Sequence, residues 1–120
     1  YNGPYAGFLL AHAGADVVKV EPLSGEVLRE RGGGEVPLSF AMLNTNKRGI
    51  TINLKESKGK ELLIRLAGEA DVLLENFAPG AMDRLGLGIE LFLEKNPRLI
   101  YASGSGYGLT GLRRITWQWI

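Results

Sequence analysis

The sequence predicts an α/β fold, a Rossmann-like layered domain with a mainly parallel sheet, truncated at both ends. Three observations carry that expectation. Helix-compatible and strand-compatible stretches alternate along the chain. Gly14-Ala15-Asp16-Val17-Val18 is echoed by Glu69-Ala70-Asp71-Val72-Leu73, each setting an Ala-Asp pair between a helix and a strand. The run Asp71 to Glu75 is almost wholly apolar, as a strand covered on both faces of a parallel sheet should be. Each echo marks the helix-to-strand half of a βαβ unit, and such units wind right-handed and cover a parallel sheet with helices.

Taken in order, Gly7 to Ala13 is apolar and helix-compatible, with Gly14 at the C-cap. Asp16 to Glu21 reads as a strand that Pro22 stops. Residues 22–37 hold Gly25, the triplet Gly32-Gly33-Gly34 and two prolines, which predicts one long loop. A short apolar piece, Leu38 to Leu43, leads to the polar turn Asn44 to Gly49 and a β-branched strand, Ile50 to Leu54. Ser57 to Gly68 is helical, with Ser57 as N-cap and Leu62, Leu63, Leu66 and Ala67 on one face. After the strand at Asp71 to Glu75, the turn Asn76 to Gly80 precedes a short helix, Ala81 to Leu85. A second helix, about Ile89 to Lys95, and a strand, Arg98 to Ala102, follow.

Composition narrows the chemistry. The 120 residues include 17 glycines, roughly twice the usual share, and form one core at most. A net charge of +1 gives no field for nucleic acid or an anionic membrane, so phosphate binding must be local. Without cysteine there is no disulfide, thiolate nucleophile or Cys-ligated zinc, which suits a reducing, cytoplasmic setting. No stretch approaches the roughly 18 apolar residues of a membrane span.

Several candidate motifs resolve into ordinary structure. Gly106-Tyr107-Gly108-Leu109-Thr110-Gly111 matches G-x-G-x-x-G after a strand, but no acidic residue follows it, so a dinucleotide dehydrogenase is a distant alternative. His12 is the single histidine and has neither a second His nor a Cys to share a metal, so no metal site is expected. Asp16, Glu21, Asp71 and Glu75 stand at strand ends, where acid–base work and simple capping explain them equally. Asn44-Thr45-Asn46-Lys47-Arg48 offers amides and two cations to a phosphate. Lys55 and Lys58 beside a helix start form a second candidate anion site.

Six blocks stand in the order and spacing of the family III coenzyme A transferases. They are Gly3 to Gly7, Gly14 to Pro22, Leu43 to Arg48, Ala70 to Phe77, Pro79-Gly80 and Asn96 to Tyr101. The chain resembles the N-terminal portion of this family, which includes formyl-CoA:oxalate CoA-transferase, the carnitine CoA-transferases and α-methylacyl-CoA racemase. The resemblance covers residues 1–111 as a partial CoA-binding Rossmann-like lobe, with 112–120 as a divergent tail.

The resemblance implies that CoA or acyl-CoA is the ligand, that no metal is involved, and that full-length members form interlocked homodimers. It places the nucleotide against the segment beginning at Pro22, against Ile52, Asn53, Leu54 and Lys55, against Asn76, Phe77 and Ala78, and against Arg84. Lys55 and Arg84 would answer the phosphates and Phe77 would pack on the adenine; Pro22 stands where some members carry an arginine. The family's catalytic aspartate lies downstream of the Gly-Tyr-Gly-x-Thr-Gly segment, so no catalytic residue is expected among these 120. The expected function is therefore that of a truncated lobe that binds CoA at most. The alternatives are a half completed in trans by a separate C-terminal lobe, and a non-catalytic, self-associating remnant.

Overall fold

Asn2–His12 forms the first helix, α1, starting earlier than the apolar pattern predicts because Pro4 is tolerated in a first turn, where its missing N–H has no partner to lose. It ends as the sequence predicts. Gly14 adopts φ +97°, its amide bonds the Ala11 carbonyl at 3.2 Å, and the Ala15 amide bonds the Leu10 carbonyl at 3.0 Å. This paired closure needs a left-handed residue at position 14, which glycine adopts without a Cβ penalty.

The computed structural model describes residues 2–31, 37–106 and 108, and the chain divides into two units, Tyr1–Leu54 and Lys55–Ile120. The first unit continues with β1 (Val17–Glu21), a single 3₁₀ turn at Val27–Arg29, α2 (Leu38–Asn44) and β2 (Lys47–Thr51). β1 and β2 pair in parallel, Val17 against Lys47 through to Glu21 against Thr51, and the Ile52 amide extends the ladder to the Glu21 carbonyl at 2.9 Å. α1 packs on α2 and on both strands.

Two expectations need correction in this unit. The stretch 22–37 is not all loop, because Leu28 buries its side chain and folds Val27–Arg29 into a helical turn. The apolar piece at 38–43, to which the sequence assigns no element, forms α2. The second strand begins at Lys47 rather than Ile50, since pairing with β1 draws the polar turn residues into the ladder.

The second unit repeats the same order of elements: α3 (Ser57–Gly68), β3 (Val72–Glu75), the short α4 (Ala81–Arg84), α5 (Ile89–Lys95) and β4 (Ile100–Ser103). β3 and β4 pair in parallel, Val72 with Ile100 through to Glu75 with Ser103. The unit's core holds Phe92 and Leu87, both 0% exposed, with Leu63, Ala67, Met82 and Leu99. α3 packs on α5, and its buried residues, Gly59, Leu63 and Ala67, form a stripe four residues apart.

Two corrections follow here. Leu62 and Leu66, expected on the buried face, are 43% and 38% exposed, because the buried stripe is narrower than the apolar one. Glu56, not Ser57, occupies the N-cap of α3. Beyond α3, Asn96 ties down the helix end: its side-chain amide donates to the carbonyls of Ala67 (3.3 Å), in the last turn, and Ala70 (2.8 Å), just past it.

The fold class predicted from sequence is present as mixed α/β structure with parallel strands. Among the described residues each unit carries one two-stranded parallel sheet. The run expected to be a twice-covered strand, β3, leaves Val72 exposed.

Candidate functional site

In a parallel sheet, ligands bind outside the carboxyl ends of the strands. Three of the four segments expected to hold a nucleotide begin there. Pro22 follows β1 and Ile52 to Leu54 follow β2, and the parallel register of Glu21 with Thr51 brings both to one end of the first unit's sheet. Ile52 is 4% exposed and can offer only backbone, whereas Asn53 and Leu54 are half-buried. Lys55 is exposed at the start of the second unit.

Asn76, Phe77 and Ala78 follow β3 in the second unit. The Phe77 amide donates to the Glu75 carboxylate at 2.7 Å, and the Gly104 amide, just past β4, donates to the Glu75 carbonyl at 2.8 Å. The Phe77 ring is 49% exposed, and a Cβ placed on Gly104 would meet the Asn76 side chain at 3.7 Å. Arg84 closes α4 and is exposed, its guanidinium 3.4 Å from the Pro79 carbonyl.

At the first of the two anion sites read from residue type, most of the polar side chains have internal partners. In the turn before β2, Asn44 donates to the Phe40 carbonyl at 2.8 Å and Thr45 to the Ala41 carbonyl at 3.0 Å. Lys47 donates to the Pro4 carbonyl at 2.7 Å, and burial, with the Lys19 charge nearby, holds its ammonium below the usual value. Arg48 forks onto Asp16 at 2.5 and 2.9 Å. Both cations and the amide of Asn44 are thus committed to internal partners. At the second site, Lys55 and Lys58 are exposed, and Glu56 at the N-cap sets a carboxylate-bearing residue between them in sequence.

The strand-end carboxylates serve structure. Glu21 is 5% exposed and accepts a bidentate pair from Arg29 at 2.8 and 3.1 Å, with Lys19 at 3.3 Å. Arg29 chiefly holds its carboxyl below the usual value, against the opposing effect of burial. Lys19 also pairs with Glu26, and the Arg29 and Lys19 cations lie over the Phe40 ring at 4.1 and 4.7 Å. Gly25 permits this, since a Cβ there would sit 2.8 Å from the Arg29 side chain. His12 is exposed, 3.0 Å from the Phe8 carbonyl.

Sequence reading missed Tyr101. Burial pushes its phenol up to about 12, and the charge and hydrogen bond of Glu75 add to that effect. The available signal was positional: a glutamate at a strand end two residues before Phe77, and a tyrosine on the neighbouring strand. The G-x-G-x-x-G match and the tail at 112–120 lie largely or wholly outside the described residues. Among the described residues, no His, Cys, Asp or Glu group of three could hold a metal ion, and no helix is long and apolar enough to cross a membrane.

Comparison with known proteins adds the family context. The model of CoA-transferase family III matches residues 1–117. The formyl-CoA:oxalate CoA-transferase of Streptomyces coelicolor is 49% identical over 110 residues, covering 89% of this chain and 27% of that protein. An acyl-CoA transferase of Fusarium pseudograminearum is 44% identical over 121 residues, 91% of this chain and 26% of its own length. A CAIB/BAIF family protein from Brucella suis superposes with a TM-score of 0.88 at 39% identity, covering 94% of this chain and 32% of that one. The chain therefore spans about a quarter to a third of the length of these relatives.

Proposed function

The chain belongs to CoA-transferase family III, and from that premise we propose that this stretch is the CoA-recognition part of a CoA-transferase, holding CoA or acyl-CoA by its nucleotide. Ile52 to Lys55, Asn76 to Ala78 and Arg84 make the contacts. Lys55 and Arg84 answer the phosphates by charge-assisted hydrogen bonds, and the half-exposed Phe77 ring covers the adenine. The observation that carries the reading is that the segments beginning at Pro22, Ile52 and Asn76 all start at the carboxyl end of a parallel strand.

The same proposal assigns no nucleophile to these residues. Glu21, the buried carboxylate, is neutralised by Arg29 and Lys19, and Glu75 is engaged by the Phe77 amide. Acyl transfer then depends on residues of a further lobe, and a homo-oligomer in the cytoplasm is the working state we assign. Relatives named as CoA-transferases are much longer than this stretch, which favours that division of labour.

Calorimetric titration with CoA tests the reading. Saturable heat with micromolar to millimolar affinity is expected, with no transfer from formyl-CoA to oxalate by the chain alone; absence of heat at millimolar CoA overturns it. Arg84→Ala and Lys55→Ala each weaken CoA binding by about tenfold, the scale of one charge-assisted hydrogen bond.

A further inference from the structure

We infer that Glu75, braced by Tyr101 on the neighbouring strand, is a positioning residue that presets the Asn76-Phe77-Ala78 turn for the adenine end of the ligand. The inference rests on the CoA reading above and adds two residues that make none of its proposed ligand contacts.

The geometry comes from the sheet. Leu73 pairs with Tyr101 and Glu75 with Ser103, and residues two apart on a strand share a face, so the Glu75 and Tyr101 side chains rise from the same side of the β3–β4 pair. From there the carboxylate turns back to accept the Phe77 amide at 2.7 Å, while the Glu75 carbonyl accepts the Gly104 amide at 2.8 Å. One residue thus fixes the turn from both its side chain and its backbone. Tyr101 is itself held in place by Phe92, whose ring lies 6.0 Å away at an angle of 36° and is wholly buried. Phe92 in the core thus packs beside Tyr101, which shares a face of the sheet with Glu75, whose carboxylate in turn holds the Phe77 amide.

Preorganisation gives this arrangement a functional consequence. A turn already held in its bound shape does not have to be ordered when ligand arrives, so the ordering cost is removed from the binding free energy. Loss of the Glu75 acceptor frees the backbone at Phe77 and, with it, the ring that is half-exposed to solvent. The effect should fall on the adenine end alone, because the group that this carboxylate holds is the Phe77 amide.

The test compares wild type, Glu75→Ala, Glu75→Gln and Tyr101→Phe, titrated calorimetrically with CoA, with adenosine 3′,5′-bisphosphate and with phosphopantetheine, alongside amide exchange at Phe77. Glu75→Gln keeps an oxygen acceptor and should bind CoA like wild type. Glu75→Ala should lose about tenfold in affinity for CoA and the bisphosphate, the scale of one hydrogen bond to a charged group, with phosphopantetheine unchanged and faster Phe77 exchange. Tyr101→Phe should show the same pattern, weaker. An equal loss across all three ligands, or a Glu75→Gln variant as poor as Glu75→Ala, means a general packing role and overturns the inference. Unchanged CoA affinity in Glu75→Ala overturns it as well. Failure of the wild type to bind CoA instead removes the reading on which it rests.

Discussion

In the first unit, β1 and β2 carry Lys19, Glu21, Lys47 and Arg48, and each of these side chains reaches a charged or carbonyl partner. The second unit has the same succession of elements, yet its centre is Phe92, Leu87, Leu63 and Leu99, and the polar work is left to Asn96 and Glu75 at the edges. The difference teaches that a βαβ arrangement sets where strands lie but not what holds them. A buried charge network depends on geometry and on pH, whereas apolar burial depends on volume.

The largest expected effect breaks the second unit. Phe92→Ala removes a ring that is 0% exposed and should cost about 3–5 kcal/mol, measured as the shift in the denaturant midpoint. A smaller loss would mean that the site collapses around the cavity, and the contrast between the units would weaken.

Next comes the corresponding break in the first unit. Glu21→Ala leaves Arg29 and Lys19 without their shared carboxylate. Because the Arg29 side chain is 50% exposed and can turn to water, the cost falls below that of a fully buried pair, about 1–3 kcal/mol. Phe40 should keep part of the cluster together through its contacts with both cations. Glu21→Ala costing as much as Phe92→Ala would show that the charge network is the stronger of the two supports.

The units should also differ in pH response. Arg29 holds the folded Glu21 carboxyl below its unfolded value of 4.5, so its contribution is complete above 4.5 and is lost as pH falls through the folded value. Tyr101 has the opposite sign. Its folded value of about 12 lies above the unfolded 10.0, so the stability it contributes is complete below pH 10.0 and is lost as pH rises through about 12. Thermal midpoints plotted against pH should fall at both ends. Glu21→Gln should flatten the acid limb and Tyr101→Phe the alkaline one, and flattening of both limbs by either variant would count against separate origins.

Much of this contrast was legible in the residues themselves. The strand–helix alternation, the Gly14 closure and the helix from Ser57 to Gly68 follow from local propensity and periodicity, which act within a few residues. The segments proposed to hold a nucleotide come from family resemblance, and three of them begin after strands. What could not be read was commitment: Lys47 and Arg48 look like phosphate ligands until Pro4 and Asp16, distant in sequence, are brought beside them. The same holds for Tyr101, whose role depends on a cross-strand register that no local pattern encodes. The exposure of Leu62 and Leu66 likewise depends on how α3 packs, which its own periodicity does not encode.

The smallest predicted effect tests the sequence echo itself. Asp16 and Asp71 occupy the same place, one residue before a parallel strand, but they act through different atoms. Asp16 uses its carboxylate, which accepts both arms of Arg48 in an exposed pair with about 70% of each side chain in water. Exposed pairs contribute at most about 1 kcal/mol and are screened by salt, so Asp16→Ala should cost about 0.5–1 kcal/mol at low ionic strength and less in molar salt. Asp71 uses its backbone carbonyl, which accepts the Ile100 amide at 2.9 Å and starts the β3–β4 ladder. Alanine keeps that carbonyl, so Asp71→Ala should stay within about 0.5 kcal/mol of wild type, the usual range for a surface change. Equal, salt-sensitive losses at both positions would show that the echo preserves a charge rather than a backbone position.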